Sequence, residues 1–406
     1  MWMGDDMDAQ ARSMEETGAG RVAYLDNLRW FIVILVVVMH LNVTYGGNGL
    51  WYYKEQAGYG PLSGLMFGLY GSLTQAWFMG LICFISGYLV PPSLERKGTL
   101  PFIRGRLARL GVPMLAYVAV IHPLTIWIAG LADPAAPDMA GWYAHYVVSL
   151  DFLSSLGPLW FLMLLLILSV AYALWRAAFG GPARREHGRA EVRHWWVAAV
   201  AVVIAVSAFL LRGVVPAGQQ FIKPLPGNFM QVGFFASYVV LFAVGILCRG
   251  HDVLDGIDHR FGMRWFRWTL IFGIPLWFLG IPASAIVAEA HGATPDIGAF
   301  FGGFRWQSAF YATWEAFFCV GVSLGLIVLF RDRFNGHGKL ARLLSRTYFG
   351  VYVFHPPVIV AGAVLARGVE MPPLLKMYVM AAVLVPLCFA ASLGLRQVPV
   401  IRRYFT

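Results

Sequence analysis

The chain has 406 residues, of which 59% are hydrophobic, 15% aromatic and only 13% charged, and its mean hydropathy is +0.66. A soluble domain carries nearly twice that share of charge, so the composition excludes a soluble globular protein and points to a polytopic membrane protein. The formal net charge of +10 would make nucleic acid a candidate partner for a soluble chain; here the positions of the basic residues give it another origin, and no nucleic-acid partner is expected.

Ten apolar segments follow one another, at 28–46, 69–90, 109–131, 158–178, 195–212, 229–249, 267–288, 308–330, 345–366 and 375–396. Each is long enough to cross a hydrocarbon core of about 30 Å. The expected fold is all-α, with about ten transmembrane helices forming one domain (28–396) between an N-terminal tail (1–27) and a C-terminal tail (397–406). The first residues are acidic and the first apolar run is followed by many more, so no cleavable signal peptide is expected. Of the 31 Lys and Arg residues, 25 fall on one side of this topology, Arg12, Arg21, Arg29, Arg184, Arg185 and Arg189 among them. Only Lys54, Arg212, Lys223, Arg305, Arg367 and Lys376 fall on the other. The positive-inside rule then places both termini in the cytoplasm. The expectation is a multi-pass protein of the inner (cytoplasmic) membrane, with the lipid bilayer as its first partner.

In the first span, Arg29 opens an apolar run that ends at His40. Eleven residues of helix make three turns plus about 20°, so both side chains share a face. The rise of about 16 Å takes the histidine near the middle of the membrane, where an ionisable group is by default a functional-site hypothesis. Arg29 can take a phosphate bidentately or serve as an ordinary positive-inside anchor. Asp26 and Asn27 are expected to cap the helix. Arg104, Arg106 and Arg109 precede the third span as a basic patch, for phosphate binding or for topology and lipid head groups. His122-Pro123 reads as packing.

The longest outer loop, 132–157, carries Asp133, Asp138 and Asp151, four aromatics and no Lys or Arg. It is a candidate for handling a sugar-like acceptor, or a connector with interfacial aromatics. Trp160 reads as a structural or pocket-lining aromatic. Glu315 lies in the outer half of the eighth span. It orients His40 or an acceptor hydroxyl, with Trp314 stacking on a sugar ring, or it forms a structural ion pair with Arg305 or Arg212. His355, about ten residues into the ninth span, matches His40 in depth, with Tyr352 one turn earlier. Pro356 and Pro357 are expected to break this helix and free backbone carbonyls. Cys83, Cys248, Cys319 and Cys388 read as buried small hydrophobes. No metal-ligand spacing, P-loop or nucleophile elbow is present, and no metal is expected.

Several stretches resemble the membrane acyltransferase-3 family in order along the chain. Leu25-Asp26-Asn27-Leu28-Arg29 with His40 is similar to its opening, and Phe84-Ile-Ser86-Gly87-Tyr88 to its F-x-S-G-(F/Y). Phe102 to Pro113 is similar to its basic stretch, Leu159-Trp160-Phe161-Leu162 to its L-W-F-L, and Tyr348 to Pro356 to its late Y-x-x-Y-x-x-H-P. Trp30 and Phe31 depart from the small residues often found after the arginine, and Pro158 from a frequent histidine; both departures are similar to a glucan-modifying subgroup. The resemblance implies transfer of an acyl group, acetyl or succinyl, from cytoplasmic acyl-CoA to a hydroxyl of an extracytoplasmic glycan. It implies His40 at the centre as base or acyl-carrying nucleophile, Glu315 and His355 in support, and donor binding by Arg29, Arg104, Arg106 and Arg109. Trp160, Trp314 and Tyr352 become candidate substrate contacts. The alternative is a proton-coupled transporter or exporter of a polar solute, for which intramembrane His, Glu and Arg also speak. The absence of an internal repeat counts against it.

Overall fold

The computed structural model describes residues 23–55, 58–133, 138–180, 191–217, 231–251, 253–336 and 338–405. Arg12, Arg21, Arg184, Arg185, Arg189 and Lys223 lie outside them. Among the described residues there is no strand, and ten helices are long and apolar enough to cross a membrane. They are α1 (Ala23–Gly46), α2 (Pro61–Lys97, with a turn at 76–77), α3 (Thr99–Gly130), α4 (Gly157–Phe179) and α5 (His194–Val214). The second half comprises α6 (Val232–Gly250), α7 (His259–Ala290), α8 (Trp306–Arg333), α9 (Lys339–Leu365) and α10 (Pro373–Leu395). Each expected span is present. A hydrocarbon core offers no partner for backbone N–H and C=O groups, so helices that satisfy their own are the allowed solution.

The first span is the hub, packing on α2, α8, α9 and α10. It contains Leu28, Ile32, Val37 and Leu41, all fully buried. By contrast α5, α7 and α10 expose large apolar residues such as Leu210, Leu279 and Val383 on the outside of the bundle, as lipid-facing helices do. Because α1 already runs from Ala23, Asp26 and Asn27 sit inside it and do not cap it. Asn27 instead donates to the Phe334 and Gly336 carbonyls at 2.6 and 3.2 Å, tying α1 to the end of α8.

Where α2 crosses α6 the backbones nearly touch. A Cβ on Gly87 would stand 2.0 Å from the Phe242 carbonyl oxygen, and one on Gly245 would stand 2.2 Å from that of Phe84. Without a hydrophobic drive between helices in lipid, small residues permitting such approach hold membrane helices together. This accounts for the glycine of the Phe84-Ile-Ser-Gly-Tyr stretch. Gly87→Ala is expected to destabilise the fold by roughly 1–3 kcal/mol, because the clash is with backbone that cannot rotate away. A lowered melting temperature of the detergent-solubilised variant checks this; an unchanged one contradicts the packing argument.

The described part of the segment expected as the longest loop, 132–157, is folded. Asp138 caps a short helix, Met139–Val148, by accepting from the Gly141 N–H at 2.9 Å. That helix is pinned to α3. Pro123 supplies no N–H for the Ala119 carbonyl one turn back, and the Tyr143 hydroxyl donates to it at 3.1 Å. Tyr146 does the same to the Val118 carbonyl at 2.9 Å, within a π-helical stretch of α3. The C-terminal segment is likewise folded rather than a simple tail: Pro399–Tyr404 is a helix, and Phe405 packs on Phe354 with ring centroids 5.2 Å apart.

Candidate functional site

His40 and His355 meet. His355 Nε2 lies 3.0 Å from His40 Nδ1, with the ring centroids 4.9 Å apart. The expected break at Pro356-Pro357 does not occur, since α9 is continuous from Lys339 to Leu365. What the prolines do is subtler. Pro356 has no N–H to give the Tyr352 carbonyl one turn back, and His355 Nδ1 occupies that carbonyl at 2.8 Å.

This contact sets both tautomers. A carbonyl oxygen only accepts, so His355 Nδ1 carries its proton, and a neutral His355 then presents an Nε2 lone pair. His40 Nδ1 must donate to that lone pair, which leaves the lone pair of His40 on Nε2. The result is a relay, carbonyl to imidazole to imidazole, that holds His40 ready to accept a proton or attack a carbonyl.

His40 lines a cavity of about 800 Å³. Its walls are aromatic (Trp51, Phe78, Trp160, Phe234, Tyr238, Trp277), with amides at Asn42, Gln75 and Gln231. Pockets of this size and character suit one small ligand or one end of a larger one. The cavity extends to Asn48–Trp51 beyond the end of α1 and to Ile297 and Phe301 before α8, so it belongs to the end of the bundle opposite Arg29. Arg29 does not line it. The shared face of α1 therefore joins two separate regions rather than one pocket.

At the Arg29 end, Arg29 pairs with Asp26 at 2.8 Å. Arg106 is partly buried, its guanidinium over the Phe102 ring at 5.1 Å, and close enough to Arg29 and Arg109 to feel both charges. Lys97, not singled out by the sequence, joins Arg106 and Arg109 there. Arg104 and Arg109 are exposed. Like charges gathered in this way form a site that a polyanion would relieve.

The remaining candidates divide. Tyr352 and Trp160 both line the cavity; the Tyr352 hydroxyl donates to the Pro158 carbonyl, and Trp160 stacks on Phe235 and Tyr238. Trp314 does not reach the cavity. It is buried, with its Nε1 donating to the Gly273 carbonyl at 2.7 Å, and this packing against α7 replaces the expected sugar stacking. Glu315 is also behind the wall. Its partner is Arg212, not His40, and the Arg212 guanidinium lies over the cavity-lining rings of Phe234 and Tyr311 at 4.9 and 5.5 Å. Of the two expected ion-pair partners, Arg305 is engaged elsewhere, with Asp296 at 2.7 Å.

Trp51 was not legible in the sequence. Its indole stacks on the His40 imidazole at 4.0 Å between centroids with the planes 19° apart. It lies in a loop eleven residues after His40, where no periodicity marks a residue that folds back.

The acyltransferase-3 family model, described as an acyltransferase domain, matches residues 22–393. The chain belongs to the acyltransferase-3 family. It is a multi-pass membrane acyltransferase, and the match spans α1 to α9 and nearly all of α10. Among curated proteins none matches the chain.

Proposed function

We propose that this acyltransferase moves an acyl group, acetyl or succinyl, from acyl-CoA to a hydroxyl of a glycan on the far side of the membrane, with His40 at the centre of the transfer. The observation that carries this reading is the His40–His355 pair lining the aromatic cavity, with the basic cluster at the opposite end of the same helix. In the orientation that the positive-inside rule favours, the basic cluster is cytoplasmic and the cavity faces outward, in the inner membrane of the cell.

The donor offers a 3′-phosphate and a pyrophosphate, which Arg29, Arg106 and Lys97 would hold, with the exposed Arg104 and Arg109 adding to the field. In the cavity the acceptor hydroxyl gives its proton to His40 Nε2 as its oxygen attacks the thioester carbonyl. The C–S bond then breaks, and the imidazolium returns the proton to the departing thiolate. In the covalent variant, His40 Nε2 itself attacks and the acceptor hydroxyl discharges the acyl-imidazole. Aromatic walls such as Trp160 and Tyr352 suit a sugar ring, whose apolar face stacks while its hydroxyls meet amides.

The test uses purified protein in vesicles with acyl-labelled acetyl- or succinyl-CoA and a glucan oligosaccharide as acceptor. Label is expected on the glycan, with thioester loss dependent on the protein. Arg106→Gln is expected to raise the donor KM roughly tenfold with little change in kcat, as loss of a contact made equally in ground and transition states does. No thioester loss from either donor with acceptor present, together with gradient-driven movement of a polar solute, would replace this reading with a transporter.

A further inference from the structure

The segment joining α1 to α2 is clamped at several points. Gly47 and Gly49 leave α1 with φ of 70° and 108°, a left-handed reversal open to glycine, and the chain turns back over the helix it has just left. The Glu55 N–H donates to the Thr44 carbonyl at 2.9 Å, and the Tyr59 hydroxyl donates to that of Gly46 at 2.7 Å. Tyr52 shares a hydrogen bond with the Tyr117 hydroxyl at 2.7 Å and another with His122 Nδ1 at 2.8 Å. The tightest clamp is ionic. Lys376 of α10, its side chain 2% exposed, reaches Glu55 at 2.6 Å, the Val369 carbonyl at 2.9 Å and the face of Tyr45.

A buried lysine is costly unless paired, and neither Lys376 nor Glu55 lines the cavity. What the pair does is close the loop. Trp51, four residues before Glu55, lies flat on His40, and its plane is 10° from that of His355. The last torsion of a histidine is a broad well. A hydrogen bond at Nδ1 fixes one edge of the ring and leaves it free to tilt, and a stacked indole removes that freedom.

We infer that Trp51 is a positioning residue for His40 and that the Glu55–Lys376 ion pair acts through it. This rests on His40 being the acyl-transfer centre. The pair holds the loop, the loop holds the indole, and the indole holds Nε2 at the angle the transfer needs.

The test applies the vesicle thioester assay to Trp51→Leu, Trp51→Phe, Lys376→Met and the Trp51→Leu/Lys376→Met double variant, each with a melting curve in detergent. Trp51→Leu is expected to lower kcat roughly 10²-fold, the scale of a small misplacement of a reacting group, while the donor KM stays within about twofold. Trp51→Phe, which can still stack, is expected to recover most of that loss. Lys376→Met is expected to lower kcat in the wild-type background but by less than about twofold in the Trp51→Leu background, since two changes on one chain of contacts are not additive. Should Trp51→Leu fail to fold, Trp51→Met, which keeps bulk but cannot stack as a ring, takes its place in the same double-variant comparison. Additive losses, or a change in KM alone, would overturn the inference while leaving acyl transfer in place. A wild type that consumes no thioester would overturn the acyl-CoA reading and this inference with it.

Discussion

His40→Ala is expected to abolish acyl transfer to within the background of the vesicle assay, a loss of at least about 10³-fold, since general base catalysis alone contributes roughly 10²–10⁴. The partner residue makes the test sharper. In the relay His355 Nε2 accepts from His40 Nδ1, so a replacement that keeps an acceptor in place should keep the His40 tautomer. Glutamine can offer its amide oxygen there; leucine offers nothing. His355→Leu is expected to cost roughly 10²-fold in kcat, the scale of a small misplacement of a reacting group. His355→Gln should lose distinctly less. Equal losses for Gln and Leu would show that His355 acts through its ring rather than as an acceptor, and the relay would be wrong. Rapid quenching of a single turnover separates the two chemical routes. Acyl label held on His40 is the covalent route, and label found only on donor and acceptor is the base route.

The parts of this architecture that the sequence carries are those written in composition and local covalent chemistry. Ten spans follow from runs of apolar residues, because the bilayer admits little else. The depth of His40 follows from helical rise. The pairing of His355 with a backbone carbonyl is also local, since a proline after the histidine deletes the N–H that would otherwise take that carbonyl; the sequence gives the freed carbonyl, but not that the helix stays whole around it. Other features depend on contacts between distant segments, on which period and propensity are silent. Trp51 reaches His40 because Lys376, more than three hundred residues away, holds its loop. Trp314 and Glu315 looked like site residues because polar and aromatic groups in mid-membrane attract that reading. Their side chains instead turn to α7 and α5, and which way a buried side chain turns is decided by the neighbours it meets.

Glu315→Ala is expected to act on stability first. The Arg212 side chain is fully buried, and its Nη2 is committed to Glu315 while its Nε donates to the Gly233 carbonyl at 2.9 Å. Removing the carboxylate strands a fully buried guanidinium, and breaking a buried pair by taking one partner costs about 3–5 kcal/mol. Taking both is a different matter. Arg212→Met with Glu315→Leu removes the desolvated charges together, and such replacements are often neutral or better. The double variant should therefore melt well above Glu315→Ala, even though it carries more substitutions. A catalytic carboxylate predicts the opposite pattern: Glu315→Ala would fold normally and lose kcat, and the double variant would be equally inactive. Melting curves and kcat on the same three proteins decide between the two. In the structural case activity follows the folded fraction, because the ion pair braces Phe234 and Tyr311, the wall of the cavity into which His40 looks, and reaches the chemistry only through that wall.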